Sequence, residues 1–249
     1  QGTENTYTLL ALVARRPLRP LPPPAPPLYA PPMADVSDSV LSQSVVRSLG
    51  DKLYDKRKGA ALEIEHQVKE QCEKEDVAGV RAVISSLSST FAFSTQANHR
   101  KGGLIGLAAV AIAVAPDVDA FLADLLPPVL KCFTDQDNRV RYYACESFYN
   151  IAKVARQLLI RSFNEIFDAL CKLIADSDPN VQNGAQLVDR LMHDIVTEST
   201  QFDMDKFIPT LGVRIKVINP YVRQFVCTWI TVLDSMPHID MLDYVPQFL

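Results

Sequence analysis

The chain has 249 residues, of which 48% are hydrophobic and 22% are charged, and its formal net charge at pH 7 is −4. That much apolar material excludes a wholly disordered chain, and the excess of acidic residues disfavours a general role in nucleic-acid binding. Aromatic residues make up only 8% of the chain, which argues against a β-sandwich or β-barrel.

The segment 1–32 differs in composition from the rest. Nine of the 17 prolines lie between Pro17 and Pro32, and this segment carries a net charge of +2, which leaves −6 for the remainder. Because proline interrupts helices, residues 1–33 are predicted to be a disordered, proline-rich extension. Three interpretations are open: a proline-rich ligand, an organelle transit peptide, or a non-native extension upstream of a start at Met33. The third is favoured because helical pattern follows Met33 at once.

A sequence repeat with a nearly constant period organises the rest of the chain. Basic residues recur at Arg57, Arg100, Arg141 and Arg223, at intervals of 43, 41 and 82, and the missing position is Gln182. Three residues after each of these positions the sequence has Ala60, Gly103, Ala144, Ala185 and Val226, which are mostly small. A fixed period of about 41 residues is typical of stacked helical repeats.

Each unit shows the same internal plan. An apolar first helix, which often contains proline, is followed by a turn rich in Asp, Asn and Pro and then by a second helix. The turns 134–138, 176–180 and 219–220 end one helix and are expected to supply an N-cap for the next, with Pro179 and Pro220 at early helical positions. Five cysteines without a CxxC pair suggest reduced core thiols.

This plan resembles the HEAT-repeat family, so the predicted fold is an all-α HEAT-repeat solenoid spanning residues 34–249, with about five helix pairs and a truncated sixth. The approximate repeats are 36–72, 73–115, 117–155, 156–198, 203–235 and the truncated 240–249. Because the last unit is incomplete, an exposed apolar edge is expected near residues 245–249.

No pattern in the sequence indicates catalysis, and we predict neither a cofactor nor a metal site. The four histidines share no metal-binding spacing, and no nucleophile or phosphate-loop motif occurs. Gly102 and Gly106 stand four residues apart and suggest close helix packing rather than a phosphate cradle. Asp135, Asp137 and their repeats at 176 and 178 suggest capping turns rather than a metal site.

The candidate functional surface is an extended edge where corresponding turns meet. Its basic residues either bind a partner or bond the acids and carbonyls of neighbouring repeats, and for Arg141 and its equivalents the second interpretation is favoured. The candidate partner-binding residues are Lys56, Arg57, Lys58, Arg100, Lys101, Arg139 and Arg141.

Several longer strings carry a closer resemblance. They are DKLYDKRKGAALEIE (51–65), HRKGGLIGLAAVAIA (99–113), RVRYYACESFYNIAKVAR (139–156) and DPNVQNGAQLVDRL (178–191). These strings resemble the N-terminal repeats of the vacuole-morphology scaffold family called Vac-fourteen, from about residue 36 to the end. No contact residue is carried over, since the matching motifs are mostly structural.

The resemblance implies a non-enzymatic scaffold that binds the phosphatidylinositol-3-phosphate 5-kinase and so supports phosphatidylinositol 3,5-bisphosphate synthesis. It also implies a Sac-type phosphoinositide phosphatase as a partner of full-length members, and a cytoplasmic location, peripheral on vacuolar or endosomal membranes. The alternative from the period alone is a generic HEAT-repeat adaptor that binds protein or peptide cargo.

Overall fold

The computed structural model describes residues 40–247, and within that range the chain is all-α, with ten α-helices and no strand. The α-helices are α1 Gln43–Leu49, α2 Tyr54–Glu73, α3 Val77–Ser86, α4 Ala97–Ala113, α5 Asp119–Cys132, α6 Asn138–Ala155, α7 Phe163–Ile174, α8 Pro179–Thr197, α9 Met204–Arg214 and α10 Pro220–Asp234. The predicted all-α solenoid of five helix pairs is confirmed.

Shorter helical segments connect some of these helices. A π-helical segment, Leu87–Ala92, extends α3, and 3₁₀ segments occupy Ala115–Asp117, Arg156–Ser162 and Met241–Gln247. The residues predicted to begin a truncated sixth repeat thus form a 3₁₀ segment as far as they are described. The predicted extension at residues 1–33 lies outside the described residues. The division into repeats stays a prediction, although α2 ends at Glu73, one residue beyond the predicted limit of the first repeat.

The second helices α6, α8 and α10 begin at the turns that were expected to cap them. The side chain of Asp137 accepts hydrogen bonds from the backbone nitrogens of Arg139 and Val140 at 2.8 and 3.2 Å. Asp178 caps α8 and Asn219 caps α10 in the same way, and Pro179 and Pro220 are the first helical residues. The expectation that these aspartates form capping turns is confirmed.

The second helices α2, α4, α6 and α8 pack side by side and form one layer of the described residues. The small residues of the repeat alignment lie in this layer, where Ala60, Ala144 and Ala185 are buried. A small side chain at this position lets neighbouring helix axes approach closely. The alignment therefore identifies positions that share one structural role.

Glycines bring α4 close to the repeat before it. A Cβ on Gly102 would lie 2.1 Å from the carbonyl oxygen of Leu49, and one on Gly106 would lie 2.7 Å from a methyl carbon of Leu87. Both distances are too short for real contacts, so Gly102, which faces a backbone oxygen, requires glycine, and a larger residue at Gly106 would have to displace the Leu87 side chain. The packing interpretation of Gly102 and Gly106 is confirmed.

An aromatic cluster joins α7, α9 and α10. Phe163 and Phe167 of α7 lie 5.1 and 5.9 Å, between ring centroids, from Trp229 of α10, and Phe207 of α9 packs against both phenylalanines. Trp229 is fully buried, and its Nε1 donates a 2.9 Å hydrogen bond to Oδ1 of Asp189 in α8. The expectation that Trp229 is a core residue is confirmed.

The last part of the described chain exposes apolar side chains. Leu242 is 76% exposed and Val245 is 40% exposed, in agreement with the predicted apolar edge as far as the described residues reach.

All five cysteines are free; Cys132, Cys145 and Cys171 are buried, whereas Cys227 is exposed, which is not a core position.

Candidate binding edge

Three arginines hold the turns that precede the second helices. They are Arg57, Arg100 and Arg141, and each Nη1 donates to the backbone carbonyl oxygens of the residues six and five positions earlier, at 2.8–3.3 Å. The same side chain thus makes the same bonds in three successive repeats. Each arginine bonds carbonyl groups of the turn itself, which lie beyond the end of the first helix.

Two of these arginines also reach the next repeat. Arg100 pairs with Asp135 through Nε at 2.6 Å and Nη2 at 2.9 Å, and Arg141 pairs with Asp176 at the same two distances. Each aspartate comes 35 residues after its arginine. In the second pair both nitrogens donate, and this bidentate geometry fixes direction as well as distance, whereas in the first pair only Nη2 of Arg100 makes a hydrogen bond. We call each arginine–aspartate pair a rung, and the predicted structural bonding of Arg100 and Arg141 is confirmed.

The carboxyl group of the second rung is held in its charged form. Burial alone would raise the pKa of Asp176, but the bonds from Arg141 and from the backbone nitrogen of Asp178 outweigh burial and lower it below the ordinary value of 3.8. The bond to Asp176 correspondingly raises the pKa of Arg141. The second rung is therefore a true ion pair at neutral pH.

The series of rungs stops after Asp176. At the next position Gln182 replaces arginine and donates to the carbonyl oxygen of Asp176 at 2.5 Å, which keeps one turn bond. At the position where an aspartate would complete the rung, the sequence has Val217. Both members of the pair are thus absent together, and the neighbouring repeats are joined there by the aromatic cluster instead.

Arg57 departs from the pattern in a different way. The corresponding aspartate position is Ala92, so no carboxylate is available there, and Nη2 of Arg57 donates instead to the hydroxyl oxygen of Tyr143 in α6 at 2.8 Å. The guanidinium carbon lies 5.4 Å from the centroid of the same ring, which adds a cation–π contact. Tyr54 packs on Tyr143 with ring centroids 6.4 Å apart. The first repeat is thus bonded to the third.

The remaining predicted residues differ in exposure. Lys56 and Arg139 are exposed, and Lys58 is half-buried. Lys56 pairs with Asp51 at 2.9 Å. Arg57 and Lys101 are buried, with 2% and 8% of their surfaces exposed. Of the seven predicted residues, those that present charge to solvent are therefore Lys56, Lys58 and Arg139.

Several bonds between repeats were not predicted from the sequence. The hydroxyl of Ser147 in α6 donates to the carbonyl oxygen of Leu104 in α4 at 2.8 Å. Arg81 in α3 pairs with Asp124 in α5 at 2.5 Å. Their separations of 43 residues lie near the repeat period, and this spacing is the signal that would have found them.

Neither a metal site nor a membrane span is found in residues 40–247. No three His, Cys, Asp or Glu side chains of this range are grouped to hold a metal ion. Among the helices of the same range, none is both long and apolar enough to cross a bilayer.

Comparison with known proteins shows the family. The sequence model of the protein family described as "Vacuolar 14 Fab1-binding region" matches residues 98–194. The chain is 58% identical over 211 residues to the VAC14 homolog of Arabidopsis thaliana, an alignment that covers 85% of the chain. The chain belongs to the Vac14 family. The Vac14 region matched by the family model begins in α4, ends in α8 and contains both rungs.

Further Vac14 relatives come from two yeasts. The VAC14 homolog of Schizosaccharomyces pombe is 43% identical with 82% of the chain covered, and "Vacuole morphology and inheritance protein 14" of Saccharomyces cerevisiae is 39% identical with 84% covered. The chain spans only 28–30% of the length of these Vac14 relatives.

Among solved structures, two designed armadillo repeat proteins are similar to the chain. One of them was solved with the peptide (KR)4; it has a TM-score of 0.43 and 17% identity, with 76% of this chain and 80% of that chain covered. The other has a TM-score of 0.45 and 14% identity, with 82% and 85% covered.

Proposed function

We propose that this chain is a non-catalytic scaffold segment that binds a Fab1-type kinase, the phosphatidylinositol-3-phosphate 5-kinase. The observation that carries the proposal is the match of residues 98–194 to a family region described as Fab1-binding. The matched residues contain the whole of α5, α6 and α7, and nearly all of α4 and α8. A segment with its own helix pairs and core is suited to present a binding surface by itself.

The wider role follows from the family. By binding the kinase, the chain supports synthesis of phosphatidylinositol 3,5-bisphosphate at vacuolar or endosomal membranes, where it is held peripherally through the complex. The name of the Saccharomyces cerevisiae relative, which refers to vacuole morphology and inheritance, supports this location. In longer members we propose that a Sac-type phosphatase joins the same assembly.

The rungs supply the physical basis for binding. Because Arg100–Asp135 and Arg141–Asp176 fix the turns of successive repeats, the exposed Arg139 beside them is held in place before a partner arrives, and the bonds from Arg57 to the carbonyl oxygens of its turn hold Lys56 and Lys58. A preorganised surface loses little conformational entropy on binding. We propose that Lys56, Lys58 and Arg139 form the contact edge.

Binding of the purified chain to the kinase, measured by biolayer interferometry, tests the proposal. Arg139→Glu is expected to weaken binding by about tenfold, because it places a carboxylate on the proposed basic edge. Lys172→Glu is the matched control; this exposed lysine lies in α7, a first helix, and it is expected to leave affinity unchanged. An absence of binding by the wild-type chain at micromolar concentration would refute the proposal.

The non-catalytic part of the proposal has its own test. The purified chain is incubated with phosphatidylinositol 3-phosphate and ATP, and separately with phosphatidylinositol 3,5-bisphosphate. We expect no turnover above a protein-free blank. Turnover that follows the chain through purification would contradict a purely scaffolding role.

A further inference from the structure

Glu146 of α6 is a half-buried acid that pairs with no cation among the described residues. Its Oε1 accepts a 2.9 Å hydrogen bond from the hydroxyl of Tyr142, one helical turn earlier. Burial raises the pKa of Glu146 above its ordinary value of 4.5, and the bond from Tyr142 opposes this rise only in part. The carboxylate has therefore lost hydration that the fold does not fully replace.

The three cations of α6 are placed elsewhere. Arg141 belongs to the second rung. Arg139 and Lys153 each stand seven residues from Glu146, about 10 Å along the helix axis. The Nζ of Lys153 lies over the ring of Tyr149, 5.8 Å from its centroid. The helix that carries the carboxylate thus supplies no counterion for it.

Tyrosine rings surround the approach to this acid. The rings of Tyr142 and Tyr143 meet edge to face with centroids 6.1 Å apart, and Tyr54 of α2 lies 6.4 Å from Tyr143. All three tyrosines are half-buried. The face of a tyrosine ring attracts cations, as the guanidinium of Arg57 over Tyr143 already illustrates within the chain. Glu146 therefore stands at the end of a series of rings that favour positive charge.

Tyr142 and Glu146 lie on the side of α6 that the first helices leave uncovered. The buried side of α6 includes Ala144 and Phe148, and the ring of Phe148 packs on Phe133 at the end of α5 with centroids 5.7 Å apart. With 3.6 residues per turn, Tyr142 and Glu146 point away from that side. A side chain of another molecule can therefore approach them.

Helix α8 forms the other border of this surface. A Cβ on Gly184 would lie 3.7 Å from Cδ2 of Tyr142, so the ring lies against α8 at a position without a side chain. One turn further along α8, Leu187 is 40% exposed. A carboxylate, tyrosine rings and an apolar side chain thus follow the junction of α6 and α8.

We propose that Glu146, Tyr142 and Tyr143 form a binding site for one lysine or arginine side chain of a partner protein. The kinase is the partner meant, since the site lies within residues 98–194. The inference thus rests on the proposed function and names the chemistry that the partner supplies. The N–H groups of the incoming cation donate to the carboxylate, and the cation lies against the tyrosine rings.

The arrangement favours a basic side chain over the choline headgroup of a lipid, which is also a cation. A quaternary ammonium has no N–H to donate to Glu146, whereas lysine and arginine have several. The exposed Leu187 suits the aliphatic stem of a long basic side chain. Because the exposed Arg139 stands on the same helix as Glu146, a segment with residues of both signs complements α6 better than a uniform lipid surface does.

Glu146→Gln separates a binding role from a structural one. Glutamine keeps the length and an oxygen for the hydroxyl of Tyr142 but removes the charge. Since burial raises the pKa of Glu146, its charged form lowers stability at neutral pH, and we expect the melting temperature of the whole chain to stay the same or rise. Glu165→Gln, at an exposed position in α7, is the matched control. A clear fall with Glu146→Gln alone would assign the charge to the fold and overturn the proposal.

Two binding measurements use these variants. In the first, affinity for the kinase is expected to fall by about tenfold with Glu146→Gln and to be unchanged with Glu165→Gln. In the second, fluorescence anisotropy follows a fluorescein-labelled hexalysine peptide in low salt. Wild type is expected to bind it about tenfold more tightly than Glu146→Gln does. The same peptide with every lysine acetylated, which carries no side-chain charge, and vesicles of phosphatidylcholine are the comparison ligands.

The outcomes distinguish the two proposals. If the wild-type chain and Glu146→Gln bind the kinase equally well, the site is refuted and the proposed function stands. If the kinase does not bind but hexalysine binds through Glu146, the proposed function fails and the site stands. Glu146-dependent binding of the vesicles without binding of hexalysine would overturn the assignment to a protein side chain. Equal binding of hexalysine by wild type and Glu146→Gln, or equal binding of the acetylated peptide, would overturn the site.

Discussion

Replacing Asp176 with asparagine removes the charge of the second rung while leaving an oxygen for the backbone nitrogen of Asp178. In the wild-type chain the carboxylate receives Nε and Nη2 of Arg141 at 2.6 and 2.9 Å, and the carboxylate and guanidinium side chains are 7% and 16% exposed. Hydrogen bonds to charged groups contribute about 1.5–3 kcal/mol each, and loss of one partner leaves the other charge poorly solvated. We therefore expect Asp176→Asn to lower the free energy of unfolding by about 2–3 kcal/mol.

A double-mutant cycle with Arg141→Met isolates the rung itself. Urea unfolding followed by circular dichroism gives the four free energies, and we expect a coupling energy of about 1–3 kcal/mol for neighbours in contact. The matched control is the pair Arg81 and Asp124, which joins α3 to α5 but is 50% and 40% exposed. Its coupling is expected to be below about 1 kcal/mol. Equal coupling in the two cycles would refute the conclusion that burial makes the rung strong.

The same rung predicts how stability depends on pH. Because the pKa of Asp176 is lower in the folded chain than its ordinary value of 3.8, the contribution of the pair is complete above that value. The contribution is lost as the pH falls through the lower pKa of the folded state. The stability difference between wild type and Asp176→Asn is thus expected to shrink below about pH 4 and to be constant between about pH 5 and 8. A difference that persists undiminished at the lowest pH would contradict an ionic origin.

Three further predictions concern the repeat pattern. Gln182→Arg combined with Val217→Asp is expected to build the missing rung, so that the double variant is more stable than the two single variants predict by about 1–2 kcal/mol in urea unfolding; an additive result would contradict the register. Gly102→Ala is expected to destabilise the chain by more than about 2 kcal/mol, because the new Cβ would lie 2.1 Å from a backbone carbonyl oxygen. Gly59→Ala is the control: a Cβ there would have no atom within 4 Å, and the change is expected to stabilise α2 by about 0.5–1 kcal/mol. Ala144→Arg, at a residue with no exposed surface, is expected to cost more than about 3 kcal/mol, and an unchanged melting temperature would show the alignment to be wrong.

The all-α solenoid and its capping turns could be predicted because both depend on short-range rules. Asp137, Asp178 and Asn219 act on the nitrogens of the residues that follow them, and the repeat period makes each turn a check on the next. The small residues led by Ala144 were identified by the same period. Local chemistry repeated at a fixed interval is what a single sequence shows most clearly.

The site was predicted only in part, because exposure depends on packing between repeats. The basic residues near the turns were identified, but the sequence does not distinguish Lys101, which α4 buries, from Lys56, which stays in solvent. The aspartate partners of Arg100 and Arg141 follow a constant spacing that the sequence contains. The bond from Arg57 to Tyr143 spans 86 residues, twice the 43-residue interval of two other inter-repeat bonds, and a comparison of adjacent repeats misses it because it passes over one repeat.

The contact between Arg57 and Tyr143 has a consequence for the way the chain opens. In an array where each repeat contacts only its neighbours, the first repeat can unfold locally without breaking any contact of the third repeat. Here release of α2 also breaks a hydrogen bond and a ring contact made by α6, while α4 lies packed against both. We expect the amides of α2, α4 and α6 to exchange their hydrogens with one shared free energy of opening, whereas those of α10 exchange independently.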